Sequence, residues 1–178
     1  MLGSIGFTPT HPVVRSGIAF LRRQQDPCGG WFGRWGVNYI YGTWSVLTGL
    51  ARVGLDMKGP MVRNAVAWLK SCQNDDGGWG ESCRSYEDPD WIGRGASTPS
   101  QTAWALMALV AAGEADSLPA RRAVGYLGQK QGAGGEWLEE EFTGTGFPEA
   151  FYLRYHYYCI YFPLLALGRF QNALLRSG

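Results

Sequence analysis

Between Pro60 and Leu69 the apolar residues Val62, Ala65, Val66 and Leu69 fall at i, i+3, i+4 and i+7, the spacing that lines one face of an α-helix. The same spacing recurs around Ile18 and Leu21, and around Val124 and Leu127. Pro12, Pro60 and Pro119 stand near the three starts, where a missing amide proton costs little. A second, more apolar helix is predicted after each: "TWSVLTGLARVG" (43–54), "TAWALMALVAAG" (102–113) and a stretch ending "YFPLLALG" (161–168). Gly54 and Gly113 close the first two, since glycine takes the left-handed conformation that ends a helix. Pro163 is expected to kink the third or delay its start.

Each first helix runs into Gln, a few turn-forming residues and Gly-x-Trp. Aligned on Trp31, Trp79 and Trp137, the units place Gln25, Gln73 and Gln131 six residues earlier and Leu21, Leu69 and Leu127 ten earlier. Phe20, Trp68 and Tyr126 then match as aromatics, Gly17, Ala65 and Ala123 as small residues, and Arg15, Arg63 and Arg121 as bases. Gln sits where the outer helix ends, so its amide can bond free backbone groups, and the indole adds a flat surface and one donor. We read these six residues as structural, a device that staples one helix end to its neighbour.

Repeat units of approximately 12–54, 60–113 and 118–175 describe an all-α chain of helical hairpins laid side by side, as in solenoids and α/α toroids. No strand is required. Three hairpins make about half of a ring that normally has about six, which leaves helical faces open to further sequence or to self-association.

Sixteen basic and fifteen acidic residues leave a net charge of +1, so no field exists to draw nucleic acid. The N-terminus has no secretory pattern, and no apolar run reaches transmembrane length. Cys28, Cys72, Cys83 and Cys159 form no CxxC pair and read as reduced structural thiols; with only His11 and His156 beside them, no metal or cofactor is expected. Arg34, Arg84 and Arg94 are expected to pair with Glu81, Glu87 and Asp88 at the surface, and "EWLEEEF" (136–142) reads as a solvated acidic face. His156 is read as structural. The excess is aromatic: eight Trp, nine Tyr and eight Phe, concentrated in the connections between paired helices.

The thrice-repeated Leu-x3-Gln-x3-Gly-x-Trp resembles the QW repeats of the triterpene cyclases. "WFGRWGVNYIYGTWSVL" (31–47), "DDGGWGESCRSYEDP" (75–89), "STPSQTAWALMAL" (97–109), "GTGFP" (144–148) and "FYLRY" (151–155) are similar to the bacterial squalene-hopene cyclase type. The resemblance covers the chain and only the C-terminal part of that family. It implies about half of an (α/α)6 barrel that cyclises squalene to hopene through carbocations, at the cytoplasmic face of a membrane, peripherally bound. It also implies a cavity lined by Trp35, Tyr41, Phe147, Phe151, Tyr155 and Tyr158, with Tyr152 and Tyr157 left to packing.

The family's proton donor, the central Asp of Asp-x-Asp-Asp, has no counterpart in these residues, and neither "EDPD" (87–90) nor "NDD" (74–76) substitutes for it. No catalytic acid is therefore assigned, the missing N-terminal part of the cyclase is the expected partner, and the isolated chain is expected not to cyclise squalene. Two other readings stay open: a non-catalytic half-toroid used for binding or assembly, and a protein prenyltransferase β-type toroid, which needs a zinc site.

Overall fold

The computed structural model describes residues 2–177. Six α-helices alternate between two layers: α1 (Pro12–Arg23), α3 (Pro60–Ser71) and α5 (Leu118–Lys130) outside, and α2 (Tyr39–Arg52), α4 (Pro99–Ala111) and α6 (Tyr158–Ser177) inside. Helix α4 is the centre, packed against α2 on one side, α6 on the other and α5 behind. Its sequence, PSQTAWALMALVA, carries no charge, and every residue from Pro99 to Leu109 is buried. A helix apolar on all sides belongs inside a core. Outer helices instead bury one stripe, as α3 does with Met61, Val62, Ala65, Val66, Trp68 and Leu69.

Helix starts follow local chemistry. Proline occupies a first-turn position in α1, α3, α4 and α5, while Thr98 and Ser117 accept the amides of Gln101 and Ala120 as N-caps. Gly54 and Gly113 follow α2 and α4 with φ of 80° and 82°, the left-handed region their expected role requires.

Two expectations are corrected. A small antiparallel hairpin is present, β1 (Gly144–Phe147) with β2 (Phe151–Leu153), with Gly144 opposite Leu153, Thr145 opposite Tyr152 and Phe147 opposite Phe151, and a bulge between Thr145 and Phe147. The third inner helix contains Pro163 in its second turn and runs on to Ser177, past the expected end at Gly168. A proline so near a helix start withdraws one amide, and the helix accommodates it. Helices α2 and α4 also begin earlier than their apolar runs, at Tyr39 and Pro99.

The Gln and Trp of each unit make the same bonds. The indole nitrogens of Trp31, Trp79 and Trp137 each donate to the carbonyl ten residues earlier, of Leu21, Leu69 and Leu127, at 2.8 Å. Gln25, Gln73 and Gln131 each donate to the glycine carbonyl four residues on. Gln25 and Gln73 also reach the next unit, at Met61 O (2.8 Å) and Pro119 O (2.9 Å) in the first turns of α3 and α5. Gln131 is exposed and makes only the local bond among the described residues.

This asymmetry gives a stability prediction. Gln73→Ala strands two backbone carbonyls and is expected to cost about 1–3 kcal/mol in urea unfolding, whereas Gln131→Ala costs less than about 1 kcal/mol. Equal costs would contradict the inter-unit role.

Candidate active site

The connections that leave each Gly-x-Trp return over the N-terminal ends of the inner helices. Residues 35–37 lie against β1: Thr145 N donates to Trp35 O at 3.1 Å, Val37 N donates to Thr143 O at 3.0 Å, and Gly36 bridges Gly144. Segment and hairpin thus form one short sheet. Its glycines define a face. A Cβ at Gly36 would run into the Tyr41 ring, at Gly144 into the Tyr155 ring, and at Gly146 into the Phe151 ring. Gly36 and Gly144 are cross-strand partners, and Phe151 is two residues along β2 from Leu153, which lies opposite Gly144, so the three rings lie over one face of the sheet. Backbone without side chains lets them settle directly on the peptide planes.

Below this face a continuous ring cluster descends between the inner helices. Tyr155 stacks on Tyr158 at 4.5 Å between centroids, and Tyr158 meets Trp104 at 5.9 Å and Phe162 at 5.0 Å. Trp104 meets Tyr41 at 5.1 Å and lies nearly parallel to Trp44 at 6.0 Å. Phe147 and Phe151 form their own edge-to-face pair at 5.9 Å. Trp35 is 54% exposed, and its ring contact is the Arg34 guanidinium at 5.1 Å. Phe147 (56%), Phe151 (48%) and Tyr155 (40%) are likewise open on one side. Five of the six predicted aromatics are thereby tied to the glycine face or the ring cluster, and Trp35 stands on the adjoining strand segment.

Tyr152 turns the other way, stacked on Tyr86 at 5.9 Å and bonded to Cys83 O, and Tyr157 is exposed. Burial raises the Tyr41 phenol and pushes Tyr158 up to about 12. Both phenols are neutral at physiological pH, so they offer ring faces rather than phenolate oxygens.

Two acids hold this platform from beneath, and both differ from expectation. Glu81 is buried rather than paired at the surface: its Oε2 accepts the amides of Asn38 (3.2 Å) and Ile40 (2.9 Å) at the start of α2. Gln101 of α4 joins the same network, accepting Glu81 N and donating to Val37 O and Glu81 O. Glu139, read as part of a solvated face, accepts Ser100 N and Oγ at the start of α4 and the hydroxyl of Thr143. Carboxylates suit these places because a helix start presents free amides and positive potential. Both follow their Trp by two residues, a repeat signal present in the sequence. Arg34 and Arg84, expected on carboxylates, lie instead over Trp35 and Trp91. Trp44, Trp104 and Phe162 are also ring-cluster members that sequence reasoning did not single out.

Residues 1–172 match the family model described as squalene-hopene cyclase C-terminal domain. The chain is similar to the squalene-hopene cyclase of Alicyclobacillus acidocaldarius, 60% identical over 174 residues that cover 98% of this chain and 28% of that protein. It is similar to that of Zymomonas mobilis at 48% identity, covering 97% of the chain and 26% of the protein. The sporulenol synthase of Bacillus subtilis is 45% identical, covering 96% and 27%. The chain therefore spans little more than a quarter of the length of these curated relatives. No helix among the described residues is long and apolar enough to cross a membrane.

Two predictions follow from the platform. Gly36→Ala must displace a ring wedged against Trp104, and is expected to destabilise the chain by about 1–3 kcal/mol and to alter near-ultraviolet dichroism; an unchanged spectrum and stability would show that the glycine face is not required. Burial raises the Glu81 and Glu139 carboxyls above the ordinary value of 4.5 against the pull of their amide donors. Stability carried by the protonated forms is complete below that value and is lost as pH rises through the raised one. Glu81→Gln should therefore gain stability relative to the native chain as pH rises above the ordinary carboxylate value and through the raised one, and a pH-independent difference would refute this.

Proposed function

The chain belongs to the squalene-hopene cyclase family by its C-terminal domain, and from that premise we propose that it supplies the aromatic side of a cavity in which squalene is cyclised to hopene. The observation that carries this reading is the convergence of Tyr41, Phe151 and Tyr155 on one glycine face, continuous with Tyr158 and Trp104.

Cyclising a polyene moves positive charge along a hydrocarbon and requires a wall that attracts cations without bonding to them. Ring faces meet that requirement at about 0.5–2 kcal/mol per contact, more where water is excluded. Phe147 and Phe151, open on their outer sides, face the later cations; Tyr155 and Tyr158 hold one another and orient that wall; Tyr41 closes it against Trp104; Trp35 shapes the substrate space beside it. With Tyr41 and Tyr158 neutral, the wall presents no phenolate, the stronger nucleophile toward a cation. The initiating proton comes from an acid outside these residues, on the N-terminal part of the cyclase, since no Asp-x-Asp-Asp occurs here. Squalene is lipid-soluble, so the working enzyme sits peripherally at a membrane surface. The uncovered inner-helix faces meet the rest of the cyclase or a second copy.

A graft tests the reading. This chain replaces the matching 174 residues of the Alicyclobacillus enzyme, and products from squalene are identified by mass spectrometry. The native graft should form hopene, and Phe147→Ala, Phe151→Ala and Tyr155→Ala should each lower its rate by about tenfold or more and release incompletely cyclised products. A folded graft that forms no cyclic product would overturn the proposal.

A further inference from the structure

Glu81 is a fully enclosed acid that the ring chemistry does not use. It belongs to the second unit's connection, yet its Oε2 holds the amides of Asn38 and Ile40, which belong to the first unit and begin α2. Tyr41 is the next residue after that clamp. Asn38 itself has no side-chain cap on its own helix; its amide oxygen accepts Gly33 N and its nitrogen donates to Ser85 in the second unit. Gln101 ties Val37 O and Glu81 O together from α4. Side chains of the following unit thus hold the start of α2 at Val37, Asn38 and Ile40.

We propose that Glu81 is a positioning residue, which by clamping the first turn of α2 across the unit boundary sets the place of Tyr41 and so the shape of the ring wall. What Tyr41 does for a substrate rests on the cyclase reading; that Glu81 fixes it rests on these bonds alone. Tyr41 packs against Gly36 on one side and the Trp44–Trp104 pair on the other, so a shift of the α2 start carries the ring out of register with both. Glutamate is suited to the task because one oxygen accepts two helix-start donors, the amides of Asn38 and Ile40, a geometry that Gln shares through its carbonyl and Ala lacks.

Two measurements decide it, with Gln73→Ala, a link between outer-layer elements remote from the wall, as the control for simple destabilisation. Amide hydrogen exchange on the 178-residue chain should rise about tenfold or more at Asn38 and Ile40 in Glu81→Ala, relative to the amides of α4, and by less than about threefold in Glu81→Gln. In the graft, Glu81→Ala should raise the ratio of incompletely cyclised to complete products about fivefold or more, Glu81→Gln should restore it, and Gln73→Ala should leave it unchanged. Unaltered exchange at those two amides in Glu81→Ala, or a product ratio that matches the Gln73→Ala control, would overturn the proposal. A native graft without cyclic products would sink the functional reading and leave the exchange result to decide Glu81 by itself.

Discussion

A single hydrogen bond, from the indole of a tryptophan to the carbonyl ten residues behind it, organises this chain. It occurs at 2.8 Å in all three units and closes the outer helix on the connection that leaves it. In the first two units the same tryptophan is also held by its backbone: Trp31 N and Trp79 N donate to the hydroxyls of Thr43 and Thr102 on the inner helices. One residue therefore joins outer helix, connection and inner helix, and a buried indole does this with large apolar area and one satisfied donor. Because the connection is pinned at its start, the residues after it are delivered over the inner-helix ends, where the candidate aromatics gather.

Neighbouring units are joined by two further devices of opposite direction. Glutamine reaches forward, from the end of one outer helix to the first-turn carbonyls of the next. Glutamate reaches back, from the connection of one unit to the helix start of the unit before, at Glu81 and at Glu139. Each boundary is thus closed on both layers, by a donor outside and an acceptor inside. Side chains bonded to backbone at helix ends tolerate changes in the apolar core, since what they recognise is the peptide group.

The helices, their alternation and the Gln–Trp units were legible because periodicity and repetition report them directly: Val62, Ala65, Val66 and Leu69 could line only one helical face, and Gly54 and Gly113 marked their ends. The hairpin was not, because Gly144 and Gly146 carry almost no strand signal, and the outer edge of β1 is supported by a segment more than a hundred residues earlier, at Trp35–Val37. The two acids were misread for a related reason. Glu81 and Glu139 look solvated beside other charges, and only the helix starts they meet in space explain why one is buried and the other half-buried. Family resemblance, rather than spacing, singled out the six candidate aromatics, while Trp44 and Trp104 lay unremarked within apolar helix runs.

The central proposal is that a substrate cation would meet ring faces, not charges or lone pairs. Calorimetric titration of the chain with a polyprenyl tertiary amine, protonated at neutral pH, and with its neutral carbon isostere isolates that term. The account predicts that the ammonium binds tighter by about fivefold or more, and that the advantage falls when Tyr155 and Phe151 are replaced by alanine. Equal affinity for the cation and its isostere would contradict it.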